Sequence, residues 1–350
     1  MSGMHGGDIY RNKVNLDCSV NVNPLGMTAH VKQALQKAVG MSERYPDIRA
    51  QELKEALAKY VGVSPAHICV GNGASELFLA IVHALQPKRV LLQAPSFGGY
   101  REACKAADCD VQYVYCHAAD QFALPDRVEE LLTDEVDLIF LANPNNPVGN
   151  LMDKELLDRI LKRAGEKQIT VVLDECFLEF VEDGMSHSPM QALHRYPHVI
   201  VVRAFTKICA IPGVRLGYCV CGDVTLAECL RRHVPEWNIS VFAQAAGVAA
   251  VKELIDGSYL EDTLRLIQAE REGLVAALEE LGVHVFSSKA NFLLLYSEKE
   301  LYMPLLERGI LIRECSDFEG LKKGYYRVAI QTPERNSRLV EAIKEVVCQM

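Results

Sequence analysis

Lys207, Arg215, Asp174 and Asn146 are residues whose types and placement could do chemistry together. Lys207 follows the β-branched run Val199-Ile-Val-Val202, which predicts a buried strand running into a loop. A lysine there stands at the mouth of a sheet, where ligands of α/β folds collect. Pro212-Gly213 turns the chain, and Arg215 opens a second apolar run from Val214 to Val220. The pair offers an amine for covalent chemistry and a guanidinium for an anion. Pyridoxal phosphate needs both, because its aldehyde condenses with lysine and its phosphate takes charge-assisted donors. The same two residues also read as a loop lysine and a solvated surface arginine.

Other strand ends add to the pair. Ile68-Cys-Val70 runs into Gly71-Asn-Gly73-Ala74-Ser75 and an apolar helix, a turn whose free N–H groups and helix dipole suit a phosphate. Asn143-Pro-Asn-Asn146-Pro-Val-Gly149 makes a stiff polar turn, and Asp174-Glu175 ends the apolar Ile169–Leu173. A carboxylate at the end of a buried strand needs a partner, and a pyridinium N–H is one. On this scheme Asp174 keeps the ring nitrogen protonated, Asn146 donates to the phenolic oxygen and Phe97 lies on the ring face. Taken singly, Asp174 also reads as a helix N-cap, Asn146 as a turn residue and Phe97 as core packing.

The elements that would position these residues follow from the rhythm of the chain. Strands at Ile68–Val70, Val90–Ala94, Val111–Tyr115, Leu138–Ala142, Thr170–Leu173 and Val199–Val202 alternate with helical segments, which predicts an α/β fold with a mainly parallel sheet covered on both faces. Thr28 is placed to cap an N-terminal helix that Gly40 should stop. After Leu226 the texture changes to helices near Val241–Asp256 and Asp262–Leu281. Shorter strands at Val283–Ser287, Phe292–Tyr296, Ile310–Arg313 and Tyr326–Ile330 follow, with a last helix near Pro333–Val347, predicting a smaller α+β domain. The expected division is an N-terminal arm and helix over 1–40 that packs with the small domain, a large domain over 41–240, and a small domain over 241–350.

Composition bounds the function. Hydrophobic residues make up 49% and charged residues 24%, ordinary for a globular protein, and the net charge of −9 argues against a nucleic-acid surface. The 12 cysteines lack zinc-finger spacing, with Cys219-x-Cys221 the one close pair, so no metal site is expected. Cysteines inside apolar segments suit a reducing cytosol, and neither a signal peptide nor a bilayer-spanning run is expected.

The phosphate loop, the Asn-Pro-x-Gly turn, the Asp-Glu-x-Phe strand end and the Thr-Lys…Arg segment occur in order over nearly the whole chain. Together they resemble the fold-type I pyridoxal-phosphate enzymes, the aspartate-aminotransferase superfamily. The resemblance implies an imine at Lys207, phosphate contacts from Gly73, Ala74, Ser75 and Arg215, and ring contacts from Asp174, Asn146 and Phe97. It also implies a homodimer in which Tyr45 reaches the partner's cofactor phosphate. Phe177 stands where many members carry a tyrosine. Ala204 lacks a hydroxyl often used on the phosphate, a role Thr206 can take.

Two branches that handle phosphorylated amines fit best: histidinol-phosphate aminotransferase and threonine-phosphate decarboxylase, the latter making the aminopropanol phosphate used in cobalamin synthesis. His5-Gly-Gly, Thr206–Gly213, Ile310–Cys315 and Gly320–Ile330 resemble the decarboxylase more closely. By this resemblance Arg313 and Arg327 hold the substrate's phosphate or carboxylate, Asn146 also faces the substrate, and His5 and Asn23 close the site. Which arginine takes which anion is not written in the sequence. A serine-phosphate decarboxylase differs only by room for one methyl. The bond that breaks is the one held perpendicular to the cofactor ring, so one residue set supports both decarboxylation and transamination. A catalytically silent cofactor-binding regulator is the reading from another class, and the chain has no helix-turn-helix appendage to support it.

Overall fold

A computed structural model describes residues 6–348. Its strands in chain order are β1 Leu16–Asp17, β2 Ile68–Gly71, β3 Arg89–Ala94, β4 Asp110–Tyr115, β5 Leu138–Ala142, β6 Thr170–Asp174, β7 Val199–Ala204, β8 Gly217–Cys221, β9 His284–Val285, β10 Phe292–Tyr296, β11 Ile310–Leu311, β12 Arg313–Glu314 and β13 Tyr325–Ala329. The helices are α1 Ala29–Ala38, α2 Gln51–Val61, α3 Ala74–Leu85, α4 Gly98–Ala106, α5 Val128–Leu131, α6 Lys154–Glu166, α7 Phe205–Ile208, α8 Val224–Arg231, α9 Val241–Asp256, α10 Tyr259–Glu280, α11 Tyr302–Glu307 and α12 Pro333–Cys348.

The principal sheet has seven strands in the order β2-β8-β7-β6-β5-β3-β4. β7, β6, β5, β3 and β4 run parallel to one another, and β8 is antiparallel to both its neighbours. The central strands bury both faces, which explains why they read as continuous apolar runs rather than alternating ones. Val199, Ile200, Val201 and Val202 are all fully buried, each contributing about 1.5–3 kcal/mol by leaving water. One core lies on each side of this sheet: Val171, Leu173, Val199 and Val201 point to one, and Val172, Ile200 and Val202 to the other.

A second sheet, β12-β13-β10-β9, is antiparallel throughout. The N-terminal arm joins this part of the chain: β1 pairs in parallel with β11, and the Ala329 amide donates to the Cys18 carbonyl over 2.8 Å. α1 and α2 both pack on α9. Thr28 does cap α1, accepting from the Val31 amide at 3.3 Å.

Three local expectations change. The helix that Gly40 should stop ends at Ala38, and Gly40 falls inside a 3₁₀ turn over Val39–Met41. The apolar run Val214–Val220 becomes strand only from Gly217, because Arg215 adopts φ +61° and bends the backbone first. The helix expected near Asp262–Leu281 begins at Tyr259 and ends at Glu280.

Candidate active site

The C-terminal ends of the parallel strands open into a cavity of about 1040 Å³, the position where open α/β sheets collect ligands. Ala74, Ser75, Phe97, Asn146, Asp174, Phe177, Thr206, Lys207, Arg215, Arg313 and Arg327 all line it. Residues separated by more than two hundred positions thus share one chamber.

Lys207 sits on α7, the single helical turn that follows β7. Its ammonium is brought down to about 8, chiefly by burial and then by the nearby Arg327 and Arg215 charges, with Asp174 opposing. An amine in that range exists in both protonation states near neutral pH and suits proton transfer or attack on a carbonyl.

Asp174 ends β6 beside it and is 8% exposed. Its carboxylate accepts from the Tyr100 hydroxyl at 2.5 Å and the Cys176 amide at 2.9 Å. Burial pushes its pKa up, while these donors pull it down. An acid held this way, facing a cavity, needs a cationic or N–H partner.

The phosphate cradle is built from backbone. Gly73 adopts φ +82°, and a Cβ there would lie 2.5 Å from a terminal nitrogen of Arg215. α3 begins at the next residue, so the free N–H groups of its first turn lie at this end of the cavity, which Ala74 and Ser75 line. Glu76, in the same turn, is drawn off by the Asn72 amide and the Asn238 side chain, both at 2.7 Å. The anion end of the cavity therefore keeps its positive character. A Cβ on Gly217 would lie 2.8 Å from the Ala74 amide nitrogen, so this side of the cradle is also held close.

These features fit pyridoxal phosphate on the structure's own terms. A cradle for one phosphate, a buried carboxylate for a ring nitrogen and a lysine for an aldehyde stand in one chamber. Phe97 is seated over Gly99, where a Cβ would come within 2.3 Å of the ring, and lies at the cavity wall. Phe177 packs edge-on against Phe292, with ring centroids 5.0 Å apart.

The two arginines come from the small sheet, directly opposite one another on β12 and β13. Arg327 donates to Asn146 Oδ1 at 2.5 Å and to the Ser19 carbonyl at 2.8 Å, while its buried Nε has no partner. Burial lowers its pKa to about 10. Arg313 instead makes two 2.8 Å bonds to Asp317 and also donates to the Glu314 carbonyl. Arg313 therefore has a carboxylate partner within the protein, which Arg327 lacks among the described residues. Asp317 lies four residues on, in a loop no periodicity ties to the strand.

Other predicted residues lie elsewhere. Asn23 is buried outside the cavity lining: its amide donates to the Ile208 carbonyl and Thr263 Oγ1, and its oxygen accepts from the Leu25 amide. Asn21, two residues earlier, lines the cavity instead. Tyr45 is 79% exposed, packed at a tilt against Trp237 with ring centroids 4.8 Å apart, and outside the cavity lining. His5 lies outside the described residues.

Sequence reasoning missed two features. Tyr100 could have been found from its position three after Phe97 on one helix face. Arg203 is fully buried and bonds Glu175 Oε2 through two nitrogens at 2.6 and 3.0 Å. Glu179 stands 3.8 Å from the same guanidinium. The register of β6 with β7 ends at Asp174 opposite Val202, and this ion pair joins the residues that follow, Glu175 beside Asp174 and Arg203 on the strand that leads into α7 and Lys207. The paired sequence signal was a charge at the end of each of two wholly apolar runs.

Among the described residues no cluster of histidine, cysteine, aspartate or glutamate could hold a metal ion, and no helix is long and apolar enough to cross a membrane.

Residues 11–343 match the family model described as aminotransferase class I and II, and the chain belongs to that family. It is 37% identical to threonine-phosphate decarboxylase of Salmonella typhimurium over 95% of this chain and 91% of that protein. It is 31% identical to the adenosylcobalamin biosynthesis bifunctional protein of Leptospira interrogans, over 95% of this chain and 38% of that protein. Among solved structures, histidinol-phosphate aminotransferase of Clostridium acetobutylicum superposes with a TM-score of 0.88 at 31% identity, over 96% of this chain and all of that one.

Proposed function

We propose that this protein is a pyridoxal-phosphate-dependent decarboxylase that converts L-threonine O-3-phosphate to (R)-1-aminopropan-2-yl phosphate for cobalamin biosynthesis. The observation that carries the reading is the placement of two arginines, Arg313 and Arg327, side by side in the chamber that holds Lys207. Arg327 has no carboxylate partner among the described residues and Arg313 shares its charge with Asp317, so a substrate with two anionic groups meets two guanidiniums in one chamber. The Salmonella relative supports decarboxylation, and the Leptospira relative's name supports the cobalamin context.

Bound in the cradle, the cofactor supplies an electron sink for the bonding pair released at the substrate's α-carbon. The chain's residues do the rest. Asp174 holds the proton at the ring nitrogen, and Gly73, Ala74, Ser75, Thr206 and Arg215 hold the phosphate. Phe97 and Phe177 confine the ring, and Asn146 orients both the ring oxygen and Arg327. The substrate's carboxylate leaves as carbon dioxide, and the proton that replaces it at Cα comes from the Lys207 ammonium or a water. Arg313 and Arg327 would hold the substrate so that the bond from Cα to its carboxylate, rather than Cα–H, is the one presented to the cofactor.

The enzyme acts in the cytoplasm as a homodimer of chains, each with a large cofactor-binding domain (41–240), a small domain (241–350) and the arm and helix of 1–40 against the small domain. The exposed Tyr45–Trp237 pair supports the dimer, since two aromatic rings left in water are a natural contact for a second copy. On this reading Tyr45 serves the partner's site, and His5 closes its own.

Histidinol-phosphate transamination is the second reading, supported by the Clostridium structure and by the fact that Lys207 can equally carry a Cα proton. Single-turnover incubation with threonine phosphate separates the two. Carbon dioxide release with the cofactor's aldehyde spectrum restored is expected. Conversion to the amine form without carbon dioxide would transfer the assignment to the aminotransferase.

A further inference from the structure

The principal sheet splits where it meets the cavity. β3 stays paired with β4 as far as Ala94, and β5 with β6 as far as Ala142, but the ladder between β3 and β5 stops at Leu92 opposite Phe140. Past that point the two strands lead into different walls of the chamber, Ser96 and Phe97 on one side and Asn146 on the other. Pro95, Pro144 and Pro147 stand in these two loops and bring no N–H, which curtails backbone pairing across the gap. A side chain crosses it instead. Asn145, 1% exposed, donates through Nδ2 to the Pro95 carbonyl at 3.0 Å. Its Oδ1 is buried with no partner among the described residues, so the chain tolerates a buried polar atom to place that N–H. The other asparagines of the turn face elsewhere. Asn143 donates to the His187 carbonyl and accepts from the Met152 amide, and Asn150 donates to the Gln121 and Phe122 carbonyls.

We infer that Asn145 is a positioning residue, which sets the spacing between the wall that carries Phe97 and the wall that carries Asn146. The inference rests on the proposed function, in which Phe97 confines the cofactor ring and Asn146 donates to its phenolic oxygen. One bond governs contacts on both walls. Asn146 is the next residue, so any movement of Asn145 reaches it directly. On the opposite wall α4 starts at Gly98, just beyond Pro95, and carries Tyr100, the donor to Asp174. The Ala94 carbonyl accepts from the Cys116 amide at 2.7 Å, which ties the end of β3 outward to the chain leaving β4. Pro95 is therefore where this wall can part from β5, and the Asn145 amide holds it in. A site that must place donors closely around a ring depends on such supporting bonds.

The test follows the holoenzyme without substrate. The pH midpoint of the bound cofactor's visible absorbance reports the donor on the phenolic oxygen, because that donor offsets the negative charge that holds a proton at the Lys207 nitrogen. Asn145→Ala is expected to raise the midpoint by about one unit, a change of about tenfold in proton affinity, and to weaken the cofactor's visible circular dichroism. Asn145→Leu keeps the outline of the side chain without its donor and is expected to do the same, should the alanine variant fold poorly. Asn150→Ala removes a side chain of the same turn that does not touch Pro95. It is expected to lower the melting temperature and to leave both cofactor signals as in wild type. Midpoints in the Asn145 variants that match wild type, or that move no further than in Asn150→Ala, would overturn the inference. Hydrogen exchange of the amides over 96–100 reads the same wall without cofactor, and is expected to quicken in the Asn145 variants and not in Asn150→Ala. That pattern in a chain that takes up no pyridoxal phosphate would support the positioning of the wall and count against the proposed function alone. Unchanged exchange would overturn the inference.

Discussion

Tyr100 donates its hydroxyl to the Asp174 carboxylate across 2.5 Å from inside the hydrophobic core. Its ring stacks on Phe140 with centroids 5.1 Å apart and 9° between planes, and meets Phe78 edge-on at 4.9 Å. The aromatic cluster therefore aims a polar group at the acid proposed above to face the cofactor ring. Tyr100→Phe should leave the packing intact and remove one donor, raising the Asp174 pKa further. Hydrogen bonds to charged groups are worth about 1.5–3 kcal/mol, so cofactor affinity should fall by about 10- to 100-fold. The acid limb of the activity profile should move to higher pH. Cofactor retention on dialysis and a pH–rate profile both matching wild type would refute this role.

Lys207 gives a pH signature without any substrate. Burial and neighbouring arginines lower its pKa from 10.5 to about 8. Below about pH 8 the folded chain without cofactor holds a disfavoured charge, which opposes folding. Between 8 and 10.5 the unfolded chain binds more protons, so stability rises with pH. Lys207→Met should remove that rise and be the more stable protein at pH 7. The two melting temperatures, followed from pH 7 to pH 10.5, should converge; parallel curves would mean the shift is absent. Lys207→Ala should abolish turnover.

Gly73→Ala tests the cradle. The left-handed backbone there costs a non-glycine residue about 1–2 kcal/mol, and the new methyl would have to displace the Arg215 guanidinium. Affinity for pyridoxal phosphate should drop by at least about tenfold, whereas affinity for pyridoxal, which has no phosphate, should change little. Equal losses for both ligands would place the damage elsewhere.

Arg203→Met should destabilise the chain by about 3–5 kcal/mol, because it leaves Glu175 and Glu179 buried without their cation. Adding Glu175→Leu should recover part of that loss. Urea midpoints of the single and double variants decide the point, and an additive double variant would show that the pair is not coupled.

Much of this was legible from the chain itself. The apolar runs that end in Asp174 and lead into Lys207 are fully buried central strands, so their composition had to declare them. The polar residues at their ends could only be there for a reason other than packing. What stayed hidden was pairing across distance. Nothing in the run Val214–Val220 says that β8 enters the sheet against the direction of its neighbours. Asp317 neutralises Arg313 from a loop, and Asn23, flanked by turn residues, spends its side chain on Ile208 and Thr263. Local periodicity reports which side of an element is buried, and it carries no information on which distant residue will supply a hydrogen-bond partner.

Arg327 holds Asn146 with one nitrogen and the Ser19 carbonyl with another. Three stretches of chain from the beginning, middle and end of the protein therefore close one knot. During synthesis, a chain released before β13 would already contain Lys207, Asp174 and Arg215, yet neither Asn146 nor Ser19 would have its guanidinium. On the proposed function, such a fragment would have the parts that take up the cofactor and lack the Arg327 that helps steer its chemistry. On that reading competence for the whole reaction arrives only with the last strand, so the final stretch of chain to be made is the one that completes the site.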